Sequence, residues 1–529
     1  MSQRGNILRT AILVIVAILC GFLSGWILTW SLPPYGIWPL VFIGFIPMII
    51  AQYRLVPRNW CWIPMAAMVL TYVHFAYAFQ EFSAGNALLL TVVAAVIVAP
   101  FAVLDRRISE RTNFRWFVLQ MPVVWIGLDS LRQIFPITGT MLNLSYSLTH
   151  EPKLIEPVSV FGLYGLELMI VAINYALGLV VLHFVTYQKA TDLVPSRRVV
   201  VSLVAVVLVF TVAWGIAGST LYNSVQSSSG PTVRVAIVQP GSAYAADVDN
   251  TAGFLPAAQE AKFEAQLSAM TIQAADHGAQ LVVWPEEYLQ FNPASAPASD
   301  AAWLQGLLKQ THVYLATGFV YPFNKLTWES WPNYDYENAA DLIAPDGAVL
   351  GTYIKQHQAP YDDDLFKVGT SSDSYQTRIG KIGMIICMDI VFQDTVRDTT
   401  LSGANIVAIP SWQGSGLGRG QWYDVAVFDA VENRVPVALD DQAWDSVIVK
   451  ADGQIVAADN TPAVAGRTDL LIGNVQLGPR NSPFLTFGNW VGEMGTFALA
   501  IIIFCGLNCI WLDRKESKRR GKYVPTNSI

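Results

Sequence analysis

The sequence predicts two joined architectures: a multi-pass α-helical membrane domain of about eight spans, and an α/β layered domain inserted before the last span. Three observations predict them. Hydrophobic residues make up 53 % of the 529 and charged residues 14 %, against roughly 25 % charged in soluble domains. Apolar runs close to the ~20 residues that cross a hydrocarbon core recur along the N-terminal part. Beyond residue 225 the texture changes to short strand patterns alternating with amphipathic helices, punctuated by Gly, Asp and Pro.

The apolar runs lie at about 8–30, 37–52, 58–80, 86–104, 115–131, 160–184, 199–219 and 493–512. The first is too long for a signal-peptide core and lacks a small-residue cleavage site, so it reads as an uncleaved span. Basic residues set the orientation. With the N-terminus inside, Arg54, Arg58, Arg106, Arg107, Arg111 and the tail from Arg514 all fall on the cytoplasmic side. The short outer segments carry Arg132 and Lys153. The organisation is therefore a membrane domain (1–224), an extracytoplasmic domain (225–490), and a last span with a basic tail (491–529).

In the second domain, 232–240 and 279–286 read as strands and 257–278 as a helix. Residues 336–355 read as a hairpin around Pro345-Asp346-Gly347, 378–387 as a strand pair with a Gly turn, and 445–457 as a hairpin around Asp452-Gly453. Strand 404–410 and helix 420–434 complete a mixed α/β layering. The net charge of −7 gives no case for nucleic-acid binding. The basic tail reads as an anchor near anionic lipid. His277, His312 and His357 are far apart, with no paired cysteines, so neither a metal nor a cofactor is expected.

Of five cysteines, Cys20, Cys61, Cys505 and Cys509 fall in or at spans. Cys387 stands alone in the extracytoplasmic domain, so a disulfide there has no partner. Core packing and nucleophilic catalysis both remain open for it. Glu286 ends "LVVWPE", Lys355 ends "GTYIK" and Cys387 ends "GMIIC". A carboxylate, an amine and a thiol at three strand ends suit thiol acyl transfer: base, oxyanion stabiliser and nucleophile. Met388 offers a backbone N–H to the same oxyanion.

These motifs, in this order, resemble the nitrilase (carbon–nitrogen hydrolase) superfamily, which implies an αββα sandwich and a Glu-Lys-Cys triad. "FDAVENRVPV" (428–437) looks like the helix after the nucleophile strand, with Glu432 at the acidic position. "SLPPYGIWPLVFIGFIPMI" (31–49) and the aromatic-rich 125–174 are similar to the membrane segments of bacterial apolipoprotein N-acyltransferases. That resemblance implies Cys387 as nucleophile, Glu286 as general base with Glu287 in reserve, and Lys355 as oxyanion stabiliser. It implies a membrane phospholipid as acyl donor, a diacylglyceryl lipoprotein as acceptor, and a monomer in the bacterial inner membrane. Alternatives are a membrane-tethered amidase with water as acceptor, and a non-catalytic scaffold.

Departures from the family pattern mark further positions. Asp363 stands where a glutamate is expected, Met388 and Asp389 where the family has an aromatic residue and a glutamate, and "PSWQGSGLGRG" (410–420) and "LDDQAWDS" (439–446) replace its loops. Trp412, with Trp422 and Trp444, reads as either a lipid-contacting rim or core. Asp129 and Arg132, three apart, are expected to pair on one helix face, or to line a substrate path. Glu167 and Asn174, seven apart, are expected to bond across helices.

Overall fold

The computed structural model describes residues 3–78, 84–134, 138–185, 194–227, 230–241, 257–289, 291–295, 298–321, 337–358, 366–412, 422–442, 445–459 and 468–521. The described residues of the eight expected spans are mostly helical. The membrane domain comprises α1 (Gln3–Ser31), the broken segment Trp38–Leu55 containing α2 (Ile46–Ile50), α3 (Trp62–Ala78), α4 (Ala84–Arg111), α5 (Phe117–Arg132), the short α6 (Pro152–Ile155), α7 (Val158–Phe184) and α8 (Arg197–Gln226). Among the described residues six helical stretches are long and apolar enough to cross a membrane. Expected spans 58–80 and 115–131 are helices of 17 and 16 described residues, shorter than the rest.

Run 37–52 is not one helix. A 3-10 turn (Trp38–Phe42), α2 and a π turn (Ala51–Leu55) follow one another. Pro39 and Pro47 lack the N–H that a continuous ladder needs. Asn174 of α7 repairs the break. Its Oδ1 accepts from Phe45 N at 3.0 Å and its Nδ2 donates to Val41 O at 2.7 Å. Buried backbone in a bilayer must be satisfied inside the protein, and this is the interhelical role expected of Asn174. Glu167 does likewise, accepting from Trp125 Nε1 at 3.0 Å and Asn143 Nδ2 at 2.7 Å. Asp129 and Arg132 pair at 3.2 Å.

The segments expected on the cytoplasmic face meet at one end of the bundle. Arg58 contacts Glu110 at 2.7 Å and Asp513 at 3.1 Å, and Arg111 reaches Asp513 at 2.8 Å.

The second domain contains two six-stranded mixed sheets. One has the order β12-β1-β2-β3-β4-β5: β1 is Thr232–Gln239, β2 Leu281–Val283, β3 Tyr314–Tyr321, β4 Glu337–Ile343, β5 Val349–Ile354 and β12 Asp469–Gln476. The other has the order β11-β10-β9-β8-β7-β6: β6 is Ser374–Thr377, β7 Gly380–Met384, β8 Ile406–Ser411, β9 Val437–Asp441, β10 Ser446–Val449 and β11 Ile455–Asp459. Alternation along β1 sorts its side chains. Val235 and Ile237 join the inter-sheet core, while Ala236 and Val238 join the cluster under α9 (Ala257–Asp276) and α10 (Ala298–Thr311). The opposite face carries α11 (Gln393–Leu401) and α12 (Trp422–Asn433). The result is an αββα sandwich. A short α13 (Pro483–Phe487) leads into the last span, α14 (Trp490–Gly521).

Helix α12 has every residue buried, because its outer side is covered by the membrane domain. The apolar cluster of the inter-sheet layer continues through α12 into the bundle, from Val407 through Phe428 to Leu163. Arg434 binds Glu156 and donates to Ser159 Oγ at 3.0 Å across the same junction.

Glu432 sits in this junction, and no described contact links it to Cys387. The resemblance marks Glu432 as the acidic residue of the helix after the nucleophile strand, and its described contacts run to α7 and α11. Helix α7 is interrupted at Gly162 (φ 67°, ψ 174°), a conformation glycine tolerates. The break frees Leu163 N, and Glu432 Oε1 accepts from it at 2.5 Å and from Gln393 Nε2 at 2.8 Å. Burial pushes the Glu432 carboxyl up to about 8. A folded-state value above the unfolded one means that folding takes up a proton. This stabilising contribution is full below the ordinary value of about 4.3 and is lost as pH rises through about 8. Glu432→Gln is therefore expected to flatten the fall in thermal stability across that range. Parallel profiles for variant and parent would contradict it.

Candidate active site

Glu286, Lys355 and Cys387 lie 3 %, 2 % and 6 % exposed at the same edge of the two sheets. Glu286 follows β2 after Trp284 and Pro285, and Lys355 directly follows β5. Cys387 is not the last residue of its strand, as the sequence suggests. Strand β7 stops at Met384, and Cys387 opens a 3-10 turn, Cys387–Val391, with φ +45°. A left-handed φ on a non-glycine residue is costly and recurs at functional sites. The first N–H groups of such a turn, Met388 among them, have no acceptor within it.

Lys355 Nζ donates to Glu286 Oε1 at 2.7 Å. Trp412 links the base to the thiol through its backbone: its N–H donates to Glu286 Oε2 at 3.0 Å, and its carbonyl faces Cys387 Sγ at 3.5 Å. Trp422 is buried in α12, as a core residue would be, Trp412 is half-buried, and Trp444 lies outside the described residues. Asp363 also lies outside them. Glu287, the reserve base, has φ +60° and shares the Asn338 side-chain amide with Glu286.

Burial pushes the Cys387 thiol well above its ordinary value; the Glu286 carboxylate adds to this and the Lys355 ammonium offsets part of it. The resting thiol is protonated and needs a base. Burial works against the Lys355 ammonium, but the Glu286 carboxylate beside it more than compensates, so it stays charged. The arrangement thus holds a proton acceptor, a fixed cation and a sulfur nucleophile out of water, where electrostatic effects are strong.

Two residues around the triad deserve separate weight. Asn338 is absent from the sequence-based site. Its Nδ2 donates to Glu286 Oε1 at 2.7 Å and its carbonyl accepts from Lys355 N at 2.9 Å, so it aligns base and cation together. The available signal was an amide in the strand Glu337–Ile343, whose only other polar residue after Glu337 is Asp341. Asp389, where the family has a longer glutamate, is fully buried. It accepts from Ile386 N at 3.2 Å, His357 N at 2.7 Å, Gln356 N at 3.2 Å and Tyr353 OH at 2.7 Å. It thereby ties the nucleophile turn to the chain just beyond Lys355. Asp389→Asn must turn an N–H2 toward one of these donors. The expected cost is about 2–4 kcal/mol, read as a lowered melting temperature together with slower modification of Cys387. Unchanged melting would contradict the tie.

The nucleophile turn also rests on the membrane domain. Thr140 N and Oγ1 donate to Val391 O at 2.8 and 3.0 Å. A Cβ at Gly139 would stand 2.4 Å from that oxygen.

The carbon-nitrogen hydrolase family model matches residues 234–478, and the model of the apolipoprotein N-acyltransferase N-terminal domain matches residues 24–176. An apolipoprotein N-acyltransferase of Geobacter metallireducens is 25 % identical over 522 residues, covering 92 % of this chain and 95 % of its own length. The chain therefore carries, in order, the two domains that these models describe. Another relative of that name, from Rickettsia prowazekii, is 23 % identical and covers 65 % of the chain and 68 % of its own length. An amidase from Nesterenkonia sp. aligns structurally with 49 % of the chain and 94 % of its own, at 20 % identity and a TM-score of 0.35. The chain thus joins helices long and apolar enough to cross a membrane to a carbon–nitrogen hydrolase domain, and the two relatives matched over most of their own length are named N-acyltransferases. Among the described residues no group of His, Cys, Asp or Glu is arranged to hold a metal.

Proposed function

We propose that the protein moves an acyl chain from a membrane phospholipid, through a thioester on Cys387, to the α-amino group of a diacylglyceryl-cysteine at a lipoprotein N-terminus. The observation that carries this reading is the buried Glu286–Lys355 pair at 2.7 Å, bridged through Trp412 to Cys387, on a domain fused to membrane helices.

In the first step Glu286 takes the Sγ proton and sulfur attacks the ester carbonyl. The oxyanion that forms is met by Lys355 Nζ and the Met388 N–H. As the carbonyl re-forms, the C–O bond breaks, and the lysophospholipid alkoxide leaves with the proton held by Glu286. In the second step the amine attacks the thioester and gives a proton to Glu286. The C–S bond breaks, and the thiolate recovers that proton as the amide leaves. Base and acid alternate on one carboxylate, so no metal or cofactor is required.

The reading places the catalytic domain on the periplasmic face of a bacterial inner membrane. It agrees with the basic segments gathered at the other end of the bundle. Both substrates are then lipids delivered laterally. Membranes containing the protein, given phospholipid and a diacylated lipopeptide, should add one acyl chain to the lipopeptide mass. Release of free fatty acid without transfer would contradict the reading and favour water as the acceptor.

A further inference from the structure

We propose that the cleft between α5, α11, α13 and α14 is a binding site for the headgroup of a phospholipid bearing a primary ammonium, separate from the triad. The cleft encloses about 560 Å³, within the range of small-ligand sites. None of Glu286, Lys355, Cys387 or Trp412 lines it. Its position sets the depth. Ser130 stands near the end of α5, and Thr496 lies in the second turn of α14, at the start of the apolar stretch Trp490–Glu516. That is where a bilayer changes from hydrocarbon to headgroup. Ile134 and Phe487 line the cleft at 75 % and 65 % exposure, apolar surface suited to the first carbons of acyl chains.

The charges select the headgroup. Arg397 supplies one guanidinium, held by its bond to Leu485 O at 2.8 Å and lying 3.6 Å from the Asp398 carboxylate, which leaves it open to a phosphate on its remaining side. Asp394 and Glu493, both exposed, supply two carboxylates. A phosphate faces the guanidinium and an ammonium faces the carboxylates. A headgroup with phosphate alone meets an excess of negative charge. A quaternary ammonium has no N–H to donate, whereas a primary ammonium has three. The walls are fixed beforehand: Gln133 Nε2 donates to Gln393 Oε1 at 2.9 Å and Asn489 Nδ2 to Ser130 Oγ at 3.2 Å. Gly488 adopts φ +60°, a left-handed conformation that glycine tolerates, beside the Arg397 guanidinium.

The inference rests on α14 as a membrane span and not on the acyl-transfer reading, so its test uses Cys387→Ala protein, which cannot consume lipid. The full-length chain carrying p-benzoylphenylalanine in place of Phe487 is placed in nanodiscs containing equal phosphatidylethanolamine, phosphatidylglycerol and phosphatidylcholine. Irradiation followed by mass spectrometry of the cross-linked peptide identifies the lipid. Phosphatidylethanolamine is expected to exceed each of the others about threefold or more, the scale of one or two exposed ion pairs. Asp394→Asn with Glu493→Gln should bring the three to parity. Glu493→Gln alone, in an exposed first turn, should give an intermediate ratio if the double variant unfolds. Parity in the parent indicates annular lipid only and overturns the proposal. So does a preference that survives both substitutions, or displacement of the lipid adduct by a diacylglyceryl lipopeptide.

Discussion

Cys387→Ser is expected to abolish acyl transfer, by about 10⁴-fold or more, while leaving the fold intact. The side chain is 6 % exposed and changes by one atom, so packing and the left-handed turn at Cys387 persist. The chemistry does not persist. Glu286 is well placed to take a proton from a thiol, even one that burial and that same carboxylate have raised, but a hydroxyl is a far weaker acid. Groups that act as a unit fail together when one is removed. The measurement is the lipopeptide mass shift alongside thermal unfolding. Residual turnover near the parent rate would remove Cys387 from the reaction.

Lys355→Ala carries the second large effect. It leaves Glu286, 3 % exposed, as a buried carboxylate without its cation. Breaking a buried pair from one side costs about 3–5 kcal/mol. The carboxylate keeps its bonds from Asn338 Nδ2 and Trp412 N, so a folded, less stable protein is expected. Thioester formation should fall by about 10²–10³-fold or more, since a fixed oxyanion donor is lost. Lys355→Arg should not restore it, because a planar guanidinium does not fit the 2 % exposed site of a compact ammonium. A stable acyl-enzyme in Lys355→Ala would contradict the role assigned to this residue.

The legible parts of this chain were those governed by short-range pattern. Apolar runs located the helices, and the alternation in 232–240 anticipated a strand now seen to divide its side chains between two layers. The turn residues Pro345-Asp346-Gly347 and Asp452-Gly453 located two hairpins. Strand-like runs pointed to Glu286, Lys355 and Cys387, and the fold brings all three to one edge of the sheets, although Cys387 lies three residues past the end of β7. The partners of long-range contacts were not legible, even at Asn174, where an interhelical bond is expected. Asn174 repairs a helix break 129 positions away, and Glu432 reaches an amide 269 positions away. No local pattern encodes either. Glu432 was assigned by its place in a helix, and the contact with Leu163 depends on how that helix docks. Asn338 and Asp389 belong to the same class. Each is a single polar residue whose role is set by the backbone amides and carboxylates that converge on it. The Asp389 departure from the family's glutamate becomes intelligible only when the groups converging on it, Ile386 N, Gln356 N, His357 N and Nδ1 and Tyr353 OH, are seen at 2.7–3.2 Å.

Mass spectrometry of the intact protein after incubation with phospholipid and no acceptor tests the account most directly. The predicted result is a single added acyl group on Cys387, released by hydroxylamine, lost on adding diacylated lipopeptide, and absent from Cys387→Ala. No adduct, or an equal adduct on the Cys387→Ala protein, would contradict it.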